Sequence, residues 1–213
     1  MPAITPVQLV VLATLSVVLV LFSERRQPAL EWIFKPLASL CFVALALVAG
    51  ALESVYGQIL LLGLVLCLAG DVFLIASGDR TFLLGLGSFL LGHLAYAAAF
   101  FQLPWSPVGL WVSIPPVLVL AVASLRWLWP HVAKPMKGPV VAYVAVICGM
   151  LLMAGTTWGS SPAMAIVIGA WGFAVSDLAV ARNQFVAPGF GNRLWGLPLY
   201  FGAQLLLAWS VQA

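Results

Sequence analysis

Residues 60–101 read LLLGLVLCLAGDVFLIASGDRTFLLGLGSFLLGHLAYAAAFF, two apolar runs joined by the turn Ser77-Gly78-Asp79-Arg80. Each run, at about 20 residues, is long enough to cross the hydrocarbon core of a bilayer as a helix. The turn between them is too short for anything but an antiparallel hairpin. Asp71 lies inside the first run and His93 inside the second, each several residues from a loop. An ionisable side chain is costly in hydrocarbon unless it faces a partner or a cavity, and its presence there points to a functional site.

The rest of the chain has the same character. Of its 213 residues 64% are hydrophobic and only 7% charged, and the mean hydropathy is +1.14, far outside the range of soluble domains. This composition predicts an all-α fold, a polytopic transmembrane helical bundle forming one domain over residues 1–213. The length has room for about eight spans and no soluble domain. Cys41, Cys67 and Cys148 stand singly within apolar runs, with no paired spacing, and read as small core hydrophobes. A net charge of +3 spread over the loops makes no nucleic-acid patch.

Apolar runs and their breakers place the spans at about Thr5–Phe22, Lys35–Leu52, Tyr56–Ala76, Thr81–Leu103, Val108–Trp129, Pro139–Thr157, Pro162–Arg182 and Leu194–Val211. The first run lacks the basic start and small-residue cleavage site of a signal peptide and is expected to be retained. Pro36 suits the first turn of span two, and Pro115-Pro116 should kink span five. Trp32 and Phe34 suit a headgroup-level belt. Glycines 85, 87, 92, 169 and 172 read as close-packing positions between helices.

With these spans, all nine Lys and Arg residues fall in connections at one end: Arg25, Arg26 and Lys35, Arg80, Arg126, Lys134 and Lys137, Arg182 and Arg193. The positive-inside rule then makes that end cytoplasmic and puts both termini outside; the compact chain suits a bacterial inner membrane. At about 1.5 Å per residue, Asp71, Asp177, Tyr143 and Tyr200 lie roughly 8 to 10 Å from the cytoplasmic helix ends, and Gln204 and His93 roughly 15 to 18 Å. The depths therefore favour Asp177 over His93 as the neighbour of Asp71, in a site opening to the cytoplasm.

The two buried aspartates are 106 residues apart and occupy the third and seventh spans. Lys35-Pro36 and Lys137-Gly138-Pro139 open spans two and six, and His93 and Tyr96 correspond loosely to Tyr200 and Gln204. This spacing suggests two parallel four-helix repeats, 1–104 and 105–213, about an axis along the membrane normal. Such an axis can bring Asp71 and Asp177 to one cavity.

Beyond these physical readings, four segments carry a resemblance. They are GDVFLIASGDRTFLLGLGSFLLGHLAYAAAF from Gly70, Pro139 with Tyr143, Ile147 and Met150, GAWGFAVSDLAVARNQF from Gly169, and Tyr200 with Gln204. Together they resemble the YhhN-like family of integral membrane proteins, which includes the lysoplasmalogenases. The resemblance covers spans two to eight. It implies hydrolysis of the vinyl-ether bond of a lysophospholipid substrate, giving a fatty aldehyde and glycerophosphoethanolamine or glycerophosphocholine, with Asp71 and Asp177 as the essential acids.

The chemistry suits two carboxyl groups. Protonation of the vinyl ether at its β-carbon gives an oxocarbenium ion, water adds, and the hemiacetal collapses. One carboxyl can donate the proton while the other stabilises the cation and accepts a proton from water, as in glycoside hydrolysis; which does which is not assigned by the sequence. Tyr143 and Tyr200 are candidates for orienting water or carboxyls, and Lys35 or Lys137 for holding a phosphate at the mouth. His93, Tyr96 and Gln204 are read as supporting residues or as packing, and Glu31 as a solvated loop charge. No metal or cofactor is expected, since a zinc site on Asp71, Asp177 and His93 would have only one His. A proton-coupled transporter using the same two acids is the alternative function.

Overall fold

The computed structural model describes residues 5–23 and 27–212. Its eight long helices are α1 (Pro6–Ser23), α2 (Glu31–Val48), α3 (Val55–Phe73), α4 (Asp79–Phe100), α5 (Pro107–Leu128), α6 (Lys134–Thr156), α7 (Ala163–Ala181) and α8 (Phe190–Trp209). All eight are long and apolar enough to cross a membrane. Arg25 and Arg26, which entered the charge count, lie outside the described residues.

Local chemistry sets the helix ends. Ser54 caps α3 by accepting from Gly57 N–H, and Ser106 caps α5 by accepting from Gly109 N–H. Gly78, at φ 133°, turns the chain into α4, a conformation that a β-carbon would strain. Helix α2 begins four residues earlier than its apolar run suggests, so Pro36 is not in its first turn. It leaves the Trp32 carbonyl without its helical donor, a single lost bond near a helix end. Likewise α6 starts at Lys134 with Pro139 in its interior, and α5 runs through Pro115 and Pro116 as one helix. Helix α7 passes into a π-helical turn over Arg182–Val186.

Sequential hairpins α1–α2, α3–α4, α5–α6 and α7–α8 supply much of the packing. Non-sequential contacts of α2 with α8 and of α4 with α6 then close α2, α3, α4, α6, α7 and α8 into a ring. Helix α1 lies outside the ring against α2 and α8, and α5 lies outside against α6. The far end of the ring, opposite the α3–α4 turn, is filled by fully buried Leu60, Leu64, Phe100, Met150 and Leu207. There Tyr56 and Ser210 also share a hydrogen bond.

Helices α3 and α4 approach closely because glycines face side chains. A β-carbon on Gly63 would lie 2.5 Å from the Tyr96 ring, one on Gly70 2.9 Å from Phe89, and one on Gly92 2.8 Å from Cys67 Sγ. Glycines 169 and 172 do the same between α7 and α8. Gly87, expected in this group, would place a β-carbon in open space with no neighbouring atom within 4 Å, because it turns away from α3. Gly63→Val should therefore lower stability by about 1–3 kcal/mol, whereas Gly87→Ala should be neutral or add up to about 1 kcal/mol. Thermal unfolding in detergent would check both.

Candidate functional site

At the ring end that carries the α3–α4 turn and the α7–α8 connection, a polar cavity of about 470 Å³ opens. Its wall includes Glu31, Lys35, Asp71, Asp177, Arg193 and Tyr200. Buried Asp71 and partly buried Asp177 thus border the same space, each held by two helices other than its own.

Asp71 on α3 is 2% exposed. Its Oδ2 accepts from Tyr200 OH at 2.7 Å and lies 2.7 Å from Ser39 Oγ. Lys35 Nζ donates to the Asp71 backbone carbonyl at 3.0 Å and stands 3.5 Å from Oδ1. Ser39 Oγ is also 3.1 Å from the Lys35 carbonyl, so its single hydrogen faces two acceptors, the carboxyl being the nearer. A cation and two hydroxyl donors converging on one carboxyl form the partner set of a carboxylate. Lys35 lies in the second turn of α2 and is 5% exposed, which makes it a partner of Asp71 rather than a free charge at the mouth.

Asp177 on α7 is held differently. Its Oδ2 accepts from Tyr143 OH at 3.1 Å and lies 3.4 Å from His93 Nε2. His93 is fully buried, stacked on Phe173 with ring centroids 4.1 Å apart, and its Nδ1 is 2.7 Å from the Phe89 carbonyl. A carbonyl only accepts, so Nδ1 carries a hydrogen. The other nitrogen then meets the carboxyl favourably only with one proton between them, as imidazolium with carboxylate or as imidazole with carboxylic acid. At 3.4 Å the two stand slightly apart, and Nε2 makes no well-formed hydrogen bond.

The depth estimate placed His93 well beyond the level of both aspartates; the structure brings it to Asp177. Two features account for the difference. The π-helical turn adds five residues below Asp177, which deepens it. Side chains also tilt toward the N-terminus of their own helix, and α4 and α7 run in opposite directions, so His93 and Asp177 lean toward each other. Tyr200 on α8 and Asp71 on α3 converge in the same way.

Tyr96 and Gln204, which the sequence leaves open between support and packing, lie in the core, whereas Lys137 and Glu31 depart from expectation. Tyr96 and Gln204 bond to each other, Tyr96 OH donating to Gln204 Oε1 at 2.5 Å, and neither borders the cavity. Both are fully buried, and Gln204 Nε2 has no hydrogen-bond partner among the described residues. Lys137 lies over the Trp129 ring, 4.3 Å from its centroid, away from the cavity. Glu31 belongs to α2 and pairs with Arg193 at 2.5 Å across to α8.

Sequence reasoning missed Ser39 and Phe173. The spacing of Lys35 and Ser39, one helical turn apart, is the signal that placed Ser39 beside the same carboxyl. Phe173 had no such signal, though its ring touches both His93 and Tyr200 and so links the two partner sets. Among the described residues no three His, Cys, Asp or Glu side chains converge as a metal site.

An eight-helix bundle with two intramembrane acids bordering one polar cavity defines an integral membrane protein with an internal site. The chain belongs to the YhhN family, whose family model matches residues 30–211. It is 32% identical over 155 residues to a Bos taurus protein named lysoplasmalogenase TMEM86A, covering 70% of this chain and 62% of that one. A Mycobacterium bovis lysoplasmalogenase is 31% identical over 137 residues, covering 59% and 49%. The membrane protein YhhN of Escherichia coli is 26% identical over 184 residues, covering 85% of this chain and 86% of that one. The matched stretch thus spans only about half to three fifths of the length of the two lysoplasmalogenases. No solved structure matches the chain.

The partner sets predict a coupling. Lys35→Met leaves the Asp71 carboxylate buried without its cation and should destabilise the protein by about 3 kcal/mol. Adding Asp71→Asn should restore most of that loss, since it removes the orphaned charge. A double-mutant cycle on thermal unfolding in detergent measures the coupling.

Proposed function

We propose that this chain is a membrane-embedded lysoplasmalogenase, which hydrolyses the vinyl-ether bond of a lysoplasmalogen by acid–base catalysis with Asp177 and Asp71. The observation that carries the reading is the pair of carboxyls on one cavity with unlike partners: Asp71 met by Lys35, Ser39 and Tyr200, and Asp177 met by Tyr143 with His93 3.4 Å away. The names of the bovine and mycobacterial relatives support the same reaction.

In this reading the Asp177–His93 pair delivers a proton to the β-carbon of the vinyl ether, with Tyr143 orienting the carboxyl. The oxocarbenium ion that forms is stabilised by the Asp71 carboxylate, which Lys35, Ser39 and Tyr200 hold in place. Water adds to the cationic carbon and gives up a proton to Asp71. The hemiacetal then collapses, its hydroxyl proton leaving as the glycerol oxygen regains one, to yield the aldehyde and the glycerophospho-alcohol. The lipid phosphate lies at the mouth beside Arg193, and the ether linkage reaches the carboxyls below it.

The same reading takes residues 1–104 and 105–213 as parallel repeats that each contribute one carboxyl. Asp71 is held by α2 of its own half and α8 of the other, and Asp177 by α6 of its own half and α4 of the other. A two-fold exchange of halves relates these two arrangements. With the cationic connections in the cytoplasm, the cavity opens to that side and both termini lie outside. The packed far end of the ring favours a one-sided reaction chamber over a path through the bundle.

Purified protein in liposomes should release fatty aldehyde from lysoplasmalogen, and Asp71→Asn and Asp177→Asn should each reduce kcat by about 10²- to 10⁴-fold. His93→Gln should cause a smaller loss and shift the pH dependence of kcat. Absence of aldehyde from the wild type would reject the reaction. Full activity in both aspartate variants would reject the mechanism, and proton-driven uptake abolished by the same changes would indicate a transporter.

A further inference from the structure

A second, apolar groove meets the polar cavity at Asp177. Its wall is formed by α4, α5, α6 and α7, including Leu86, Leu120, Val144, Ile147, Leu178 and Phe185. Leu74, Phe82, Phe89 and Val180 border both spaces, so the groove and the cavity adjoin. Its polar groups are few: Tyr143 and Asp177 at the junction, with the Ser124 hydroxyl and the Cys148 thiol further along.

The packing of α5 makes this groove possible. In the first half, α1 packs on both α2 and α8; the corresponding helix of the second half, α5, packs substantially on α6 alone among the described helices. A gap is therefore left between α4 and α5, on the side that faces lipid. On the other flank an apolar groove lined by Val10 and Thr14 of α1 with residues of α7 and α8 does not reach Asp71.

Resting on the hydrolase reading above, we propose that this groove binds the hydrocarbon tail of a single-chain lipid, which enters sideways between α4 and α5. The free volume of the groove is about 70 Å³, against about 470 Å³ for the polar cavity. So narrow a slot takes the chain segment next to the reacting bond, and the remainder runs out into the bilayer. The headgroup occupies the polar cavity, and the junction at Asp177 sits where the ether bond lies between head and tail. The other large apolar groove, about 630 Å³ between α1, α7 and α8, is lined by neither aspartate, so a second tail lying there would not share the junction at Asp177, and the site favours lysolipids over two-chain lipids.

Binding can be read without turnover. The probe is a lysophosphoethanolamine with a saturated alkyl ether, which lacks the reactive double bond, carrying a diazirine on the chain carbons nearest the ether. Photolysis in liposomes followed by peptide mass spectrometry should label α5 and α6 around Leu120 and Val144. A two-chain phosphatidylethanolamine bearing the same group should label these positions at least about tenfold less. Labelling confined to the α1–α8 flank, or equal labelling by the two-chain probe, would overturn the proposal.

Turnover supplies the second arm. Leu120→Trp and Val144→Phe fill the groove from partly exposed positions and should lower kcat/KM for a long-chain lysoplasmalogen at least about tenfold, mainly through KM. An analogue whose alkenyl group ends at the vinyl carbons has no tail to place, and its kcat/KM should change less than about twofold. Equal losses on both substrates, or none on either, would overturn the groove assignment while leaving the hydrolase reading intact. Groove labelling by a protein that hydrolyses neither substrate would support the groove and reject the reaction.

Discussion

Two carboxyl groups set inside an apolar bundle, Asp71 buried and Asp177 partly so, dictate what surrounds them. Each must be met by donors that reach it from other helices, since hydrocarbon offers none. Lys35, Ser39 and Tyr200 do this for Asp71, and Tyr143 and His93 for Asp177. These contacts cross between α2, α3 and α8 on one side and between α4, α6 and α7 on the other. They join the same helices whose packing closes the ring.

The glycine-mediated approach of α3 to α4 and of α7 to α8 serves the same arrangement. It lets Phe89 and Phe173 pack between the two carboxyl sites, with Phe89 edge-on to Tyr200 and Phe173 stacked on His93. Phe89 acts twice, since its backbone carbonyl also fixes the hydrogen on His93 Nδ1. Rigid rings between the sites keep the carboxyls unlike in their partners although both face one cavity. That difference is what acid–base chemistry with two carboxyls requires.

In the proposed repeat α1 and α5 correspond, yet they pack differently: α1 rests on both α2 and α8, and α5 on α6. The open flank is the one beside Asp177 and His93. On the proposed reading, an amphiphile arriving from the bilayer meets Asp177 before Asp71.

Much of this was legible in the chain. Composition and run length determined an eight-helix membrane bundle, because each span must satisfy its own backbone and be apolar over the bilayer thickness. Asp71 and Asp177 stood out because a charge inside such a run is costly, and equal counting from the helix ends put them near one level. Counting failed for His93, which needed the direction of each helix and the π-helical turn after α7 to bring it to Asp177. It could not tell that Tyr96 donates to Gln204 within the core. Spacing along a helix tells which residues share a face and roughly how deep they lie. Which face meets which, and therefore which donor meets which carboxyl, was decided only by the packing of the ring.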